Sequence, residues 1–86
     1  MIVGLRFDMR TCPGGPPHAE LYEAALTCCD WGERVGDHLF VTVSEHHGSA
    51  DGYLPAPLIM AAAIAGRTRR ANVLVVALLL PLHDPL

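Results

Sequence analysis

Three short apolar runs, separated by two segments with helical spacing, constrain the fold of this chain more than any other feature. The runs are residues 2–7, 38–43 and 73–80, and turn-forming residues bound each of them, which predicts β-strands. Strands that are apolar along their whole length are typical of a parallel sheet buried on both faces. We therefore expect an α/β fold with the element order β-α-β-α-β and right-handed crossovers.

The two intervening segments carry different helical signals. In the first, apolar residues such as Leu21, Ala25 and Cys28 recur at spacings of three and four, with charged residues between them. A proline precedes this pattern and a glycine follows it, so we predict a helix over residues 17–35. The second segment is rich in alanine, which favours a helix over about residues 56–67.

Size and charge exclude several classes of protein. The 86 residues are 51% hydrophobic, which fits one small domain over 1–86. Six arginines and no lysine face nine acidic residues, a net charge of -3, so we expect no nucleic-acid partner. The longest apolar run, residues 71–82, contains an asparagine and is too short to span a bilayer, so we expect no membrane segment.

Cysteine usage indicates the compartment. Cys12, Cys28 and Cys29 make an odd number without a repeating framework, and the adjacent pair cannot readily form a disulfide within a helix. Reduced thiols in a cytoplasmic protein are the simplest interpretation. Cys28 and Cys29 are better explained by helix packing than by redox chemistry, because a buried thiol behaves as a small apolar group.

The reactive side chains Ser44, Glu45, His46 and His47 directly follow the second predicted strand. Functional groups in parallel α/β folds gather at the carboxyl ends of strands, where a rigid sheet holds variable loops. Neighbouring side chains of an extended segment point in opposite directions, so one histidine should line the site while the other packs or hydrogen-bonds behind it. On this pattern alone, a histidine pair at a strand end is more often a hydrogen-bonded structural feature than a catalyst.

A metal site at the same place is an alternative. Carboxylate and imidazole groups of Glu45, His46, His47 and Asp51 could ligate zinc or iron. Their spacing matches neither a helical two-histidine site nor a zinc finger, so we expect no metal.

Separate pieces of the sequence together resemble one protein family. The pieces "SEHHG", "DGYLPAPLIMAAAIAGRT" and "NVLVVALLLPLHDPL" occur in the order found in the N-terminal part of the bacterial luciferase-like monooxygenases. These are flavin- or deazaflavin-dependent oxidoreductases built on a (β/α)8 TIM barrel. The resemblance implies a partial barrel here, with the first three parallel strands and two helices.

The resemblance also implies roles for individual residues. His46 matches the family histidine beside the reactive part of the flavin ring, which makes it the candidate catalytic residue. Glu45 occupies the matching acidic position, where it could orient an imidazole or shape the floor of the pocket. Val76 and Ala77, in the middle of the third predicted strand, align with a non-prolyl cis peptide that backs the ring. The implied cofactor is FMN or coenzyme F420, and the implied partner is a small organic substrate.

Length is the main departure from the family. A closed barrel needs about 250 residues, whereas the third strand of this chain is followed closely by Leu86. We therefore expect a truncated flavin-dependent monooxygenase or oxidoreductase that is inactive alone. The alternative is a non-catalytic remnant or interaction module that self-associates through its open strand edges, or that pairs with a complementary barrel fragment.

Overall fold

The computed structural model of the chain describes residues 1–85. Its elements are β1 (Ile2–Phe7), α1 (His18–Val35), β2 (His38–Val43), α2 (Pro57–Arg67), β3 (Asn72–Val75) and a short 3-10 helix (Leu80–Leu82). The predicted order of strands and helices is confirmed. Both predicted helices are present and begin within a residue of the expected positions.

The three strands form one parallel sheet in the order β1-β2-β3. β1 and β3 both pair with β2 without a shift at the carboxyl end, where Phe7 lies level with Val43 and Val43 lies level with Val75. The α/β prediction with three parallel strands and two helices is therefore confirmed. The level strand ends also bring the segments that follow all three strands to one edge of the sheet.

Both helices pack on the same face of the sheet. Leu39, Val41 and Val43 of β2 point into the core beside Cys29 and Ile64 of the helices. Two crossovers of the same hand place their helices on the same side of a parallel sheet, which agrees with both helices packing on one face. The molecule is accordingly a plate of two layers, 38 × 36 Å across and 18 Å thick.

The opposite face of the sheet is exposed, and the expectation of a sheet buried on both faces is wrong for residues 1–85. Ile2, Phe40 and Leu74 lie on this face. The apolar runs reflected strand propensity and hydrophobicity, but two helices on one side cannot cover the other side. Apolar residues in a strand therefore did not prove burial.

The third strand is shorter than expected. It ends at Val75 rather than continuing to residue 80, because its partner β2 ends at Val43. One further hydrogen bond joins the Val76 N–H to the Val43 carbonyl at 2.7 Å, and the peptide bond between Val76 and Ala77 is cis. Val76 and Ala77 thus lie in the turn after β3 rather than in the middle of a strand.

Ion pairs join the two helices to each other. Arg67, in the last turn of α2, bonds Asp30 at 2.6 Å and Glu23 at 3.1 Å on α1. Within residues 1–85, neither helix combines the length and apolarity that crossing a membrane requires.

Gly32 sets the distance between α1 and the sheet. It is buried, and a Cβ at this position would lie 3.0 Å from the Leu39 side chain and 3.4 Å from those of Leu5 and Val3. A larger residue would push the helix away from all three side chains. By contrast, a Cβ on Gly66 of α2 would meet nothing within 4 Å.

We predict that Gly32→Val lowers the free energy of unfolding by about 1–3 kcal/mol, because overpacking of the helix–sheet contact outweighs the gain in helix propensity. Gly66→Val is the matched control, since it makes the same change in a helix but meets no neighbour. Denaturant unfolding followed by circular dichroism measures both. Equal stability of the two variants would contradict the close-packing role of Gly32.

Candidate functional site

The buried carboxylate of Glu45 is the centre of the site at the carboxyl edge of the sheet. Glu45 comes two residues after β2, and its side chain is 0% exposed. Its backbone N–H donates to the Ala77 carbonyl at 3.2 Å, which continues the β2–β3 contact past the strand ends. A carboxylate held this deeply is costly unless hydrogen-bond donors surround it.

Three donors surround it. His47 Nε2 lies 2.5 Å from Oε2, while His83 Nε2 and the Leu79 backbone N–H lie 2.8 and 3.0 Å from Oε1. An ionised carboxylate only accepts hydrogen bonds, so both histidine Nε2 atoms must carry a proton. Through these bonds Glu45 joins its own loop to the segment that follows β3.

The same bonds control the charge of Glu45. Hydrogen bonds from His47 and then from His83 lower the pKa of Glu45 from its ordinary 4.5 to about 2, and they outweigh the opposing effect of burial. The carboxylate is therefore ionised throughout the neutral range. A fixed negative charge lies beneath the loop that carries His46.

His46 points away from this network. The residue is exposed, its Nε2 lies 3.2 Å from the Ser44 hydroxyl oxygen, and its backbone N–H donates to the Leu54 carbonyl at 2.8 Å. Its ring contacts the Tyr53 ring, with centroids 3.6 Å apart and planes tilted by 53°. Nδ1 of His46 makes no hydrogen bond within residues 1–85. The imidazole is thus oriented on two sides and has one nitrogen available.

Besides His46, the side chain of Arg10 contacts Tyr53. The Arg10 guanidinium lies 5.0 Å from the centre of the Tyr53 ring, within the range of a cation–π interaction. Arg10 Nε also bonds the Asp51 carboxylate at 2.7 Å, and the Ser49 hydroxyl donates to the same carboxylate. The Ser49 hydrogen bond, followed by that from Arg10, lowers the pKa of Asp51.

Backbone hydrogen bonds and one close contact fix the loop that carries Tyr53. Leu54 N–H donates to the Asp8 carbonyl at 2.9 Å, which ties this loop to the end of β1. Gly52 has a φ of +72°, and a Cβ there would overlap the imidazole of His18, the first residue of α1. Only glycine satisfies both the backbone conformation and the available space.

The residues expected at the site come to one edge of the sheet, and Glu45 contacts imidazole groups there. Glu45 bonds His47 and His83 rather than His46. The split between the two neighbouring histidines agrees with the expected alternation, since His47 bonds behind the site and His46 is exposed. Ala77 reaches the edge through its hydrogen bond to Glu45.

Sequence reasoning missed Tyr53 and Arg10. Both lie in segments that follow the carboxyl ends of strands, Arg10 three residues after β1 and Tyr53 in the loop after β2. Position after a strand was the available signal. Their mutual contact depends on how two distant loops meet, which the local pattern does not encode.

Within residues 1–85, no group of three or more histidine, cysteine, aspartate or glutamate side chains is arranged to hold a metal ion. The Nε2 atoms of His47 and His83 are already hydrogen-bonded to the carboxylate of Glu45.

One concavity of the described chain lies away from His46. It has a volume of about 230 Å³ and lies where the open edge of β1 meets α1, lined by residues that include Phe7, Met9, Leu21 and Cys28. It lies beside the edge of β1 that has no strand partner within residues 1–85. The candidate site is therefore defined by the reactive side chains at the carboxyl edge of the sheet.

Comparison with known proteins adds no relative. No family model, curated protein or solved structure matches this chain. The functional interpretation therefore depends on the residues and contacts described above.

We predict that Glu45 makes stability sensitive to acid. Its pKa is lower in the folded state, so its contribution is complete above about pH 4.5 and is lost as the pH falls towards 2. Glu45→Gln should flatten the pH dependence of the free energy of unfolding in this window. The exposed Glu20→Gln is the matched control and should keep the wild-type slope. An unchanged slope in Glu45→Gln would contradict the role of the buried carboxylate.

Proposed function

We propose that this chain forms the N-terminal βαβαβ segment of a luciferase-like, flavin-dependent monooxygenase or oxidoreductase. The observation that carries the proposal is the exposed His46 imidazole at the carboxyl edge of a parallel sheet, oriented by Ser44 and Tyr53 and with Nδ1 available. The proposed cofactor is FMN or coenzyme F420, and the proposed substrate is a small organic molecule.

The fold supports the barrel part of this proposal. Strands that follow one another around the sheet in chain order, with every helix on one face, form the repeating unit of a (β/α)8 barrel. In such barrels the active site lies at the carboxyl ends of the strands. Glu45 and His46 lie at that end here.

The residues present fit the ring part of a flavin. A tricyclic ring presents polar edge atoms and apolar faces, which calls for a hydrogen-bonding group beside an apolar surface. His46 supplies the hydrogen-bonding group, and Val76, 57% exposed, supplies apolar surface after β3. Arg10, whose guanidinium is the kind of group that binds phosphate, already bonds Asp51. The proposal therefore assigns this segment to the ring and not to the phosphate tail.

A bound reduced flavin would supply electrons for oxygen chemistry, and a deazaflavin would exchange hydride with the substrate. His46 would hold or move a proton at Nδ1, because an imidazole nitrogen can accept or donate a proton as a general base or acid. The Ser44 hydroxyl can exchange a hydrogen bond with Nε2, and the Tyr53 contact restricts rotation of the ring. Glu45 acts as a positioning residue because it fixes the two segments that form the floor of the site.

We predict that the chain binds the flavin ring through His46. In a fluorescence titration with oxidised FMN and, separately, with the deazaflavin, His46→Ala should weaken binding by about tenfold, the value of one good hydrogen bond. His38→Ala is the matched control, since His38 lies at the opposite end of β2. No turnover is expected from the open three-stranded sheet alone, which leaves a ligand in water.

Two results would overturn the proposal. One is a chain that binds neither flavin at any concentration tested while its circular dichroism shows a folded protein. The other is equal loss of affinity in His46→Ala and His38→Ala, which would mean that binding does not involve the carboxyl edge.

A further inference from the structure

The hydroxyl of Tyr53 is available to a bound molecule. The Tyr53 ring lies 3.6 Å, centroid to centroid, from the ring of His46, and the Arg10 guanidinium lies 5.0 Å from its centre. Both contacts are made by the ring and leave the hydroxyl unused. Within residues 1–85 this hydroxyl makes no hydrogen bond, and the residue is only partly buried.

The position of the Tyr53 ring is fixed by its own loop as well as by its two neighbours. The Tyr53 backbone N–H donates to the Asp51 carboxylate at 3.3 Å. Leu54, the next residue, donates its N–H to the Asp8 carbonyl and accepts a hydrogen bond from the His46 N–H. The hydroxyl is therefore held in place before any molecule binds, which reduces the entropy that binding would cost.

His46 and Tyr53 together offer two hydrogen-bond donors. When Nε2 of the neutral His46 imidazole accepts the proton of the Ser44 hydroxyl, Nδ1 carries the ring hydrogen and donates. The Tyr53 hydroxyl also donates. Because the two ring centroids are only 3.6 Å apart, one small molecule can contact both groups. Two donors side by side select a molecule that presents oxygen or nitrogen acceptors along one edge.

The charges at the carboxyl edge disfavour an anionic acceptor. Within residues 1–85, the segments that follow the three strands contain one arginine, Arg10, and four acidic residues, Asp8, Glu45, Asp51 and Asp84. The buried carboxylate of Glu45 is ionised, and Arg10 is already paired with Asp51. An added carboxylate or phosphate would meet this excess of negative charge, whereas a neutral carbonyl group would not.

We propose that the Tyr53 hydroxyl donates a hydrogen bond to a neutral carbonyl oxygen of the molecule that His46 binds. The inference rests on the function proposed above, in which that molecule is a flavin or a deazaflavin. The ring of either cofactor carries carbonyl groups along one edge and is neutral when oxidised. Tyr53 is then a ligand-binding residue in its own right, in addition to its contact with the His46 ring.

The variant Tyr53→Phe tests the hydroxyl alone, since it keeps the ring that contacts His46 and Arg10. Tyr22→Phe is the matched control, because Tyr22 is the one other tyrosine of the chain and packs against the core from α1. Tyr53→Leu removes the ring as well as the hydroxyl. Circular dichroism of all three variants checks that the fold is kept.

Each variant is titrated with oxidised FMN and with lumiflavin, which has the same ring without the phosphate tail, and flavin fluorescence reports binding. Tyr53→Phe should weaken binding of both compounds by about threefold to tenfold, the value of one neutral hydrogen bond. Tyr22→Phe should bind both compounds like the unmodified chain.

Two results would overturn this inference while leaving the proposed function in place, provided that the unmodified chain binds flavin and His46→Ala weakens that binding. In the first, Tyr53→Phe binds normally and only Tyr53→Leu binds weakly, which would mean that Tyr53 acts only by orienting His46. In the second, Tyr53→Phe loses affinity for FMN but not for lumiflavin, which would assign the hydroxyl to the phosphate. An unmodified chain that binds neither compound overturns both proposals.

Discussion

Phe7, Val43 and Val75 end three parallel strands at one level, because β1 and β3 both pair with β2 without a shift. Every chemically reactive group of the candidate site follows from this register. A slip of one residue would turn the side chains of a strand to the opposite face. The carboxylate of Glu45 could then no longer meet the segment that follows β3, and the two loops would lose their common anchor.

The candidate site has two parts, the buried hydrogen-bond network of Glu45 and the exposed imidazole of His46. Glu45 is ionised and buried, and its carboxylate oxygens accept hydrogen bonds from His47, His83 and the Leu79 backbone N–H. His46 takes no part in that network, which is why one of its nitrogens is available. The hydrogen-bond network of Glu45 forms a rigid support, and the imidazole of His46 is oriented and accessible beside it. Proton transfer to a bound molecule calls for an oriented, accessible group of this kind.

The local sequence pattern was sufficient to predict the elements whose first and last residues depend on neighbouring residues in the chain. β1 and β2 lie where the apolar runs predicted them, and a proline and a glycine mark the two ends of α1. The apolar run after residue 72 gave no sign of where β3 stops, because that limit is set by the length of its partner strand. The contact of Tyr53 with Arg10 was equally invisible, since it depends on the meeting of two loops from different crossovers. One exposed sheet face was missed because hydrophobicity alone does not tell how many layers cover a strand.

The fit of Gly52 against the imidazole of His18 connects the loop beside His46 to the start of α1. These two positions share one small volume, so a bulkier residue at either one requires a smaller or displaced residue at the other. Because the φ of +72° already favours glycine at position 52, position 18 is the one that can vary, and glycine should be kept at position 52. A shift in the first turn of α1 would displace Gly52, the neighbour of Tyr53. Since the Tyr53 ring contacts the His46 ring, the position of α1 affects the orientation of the His46 imidazole.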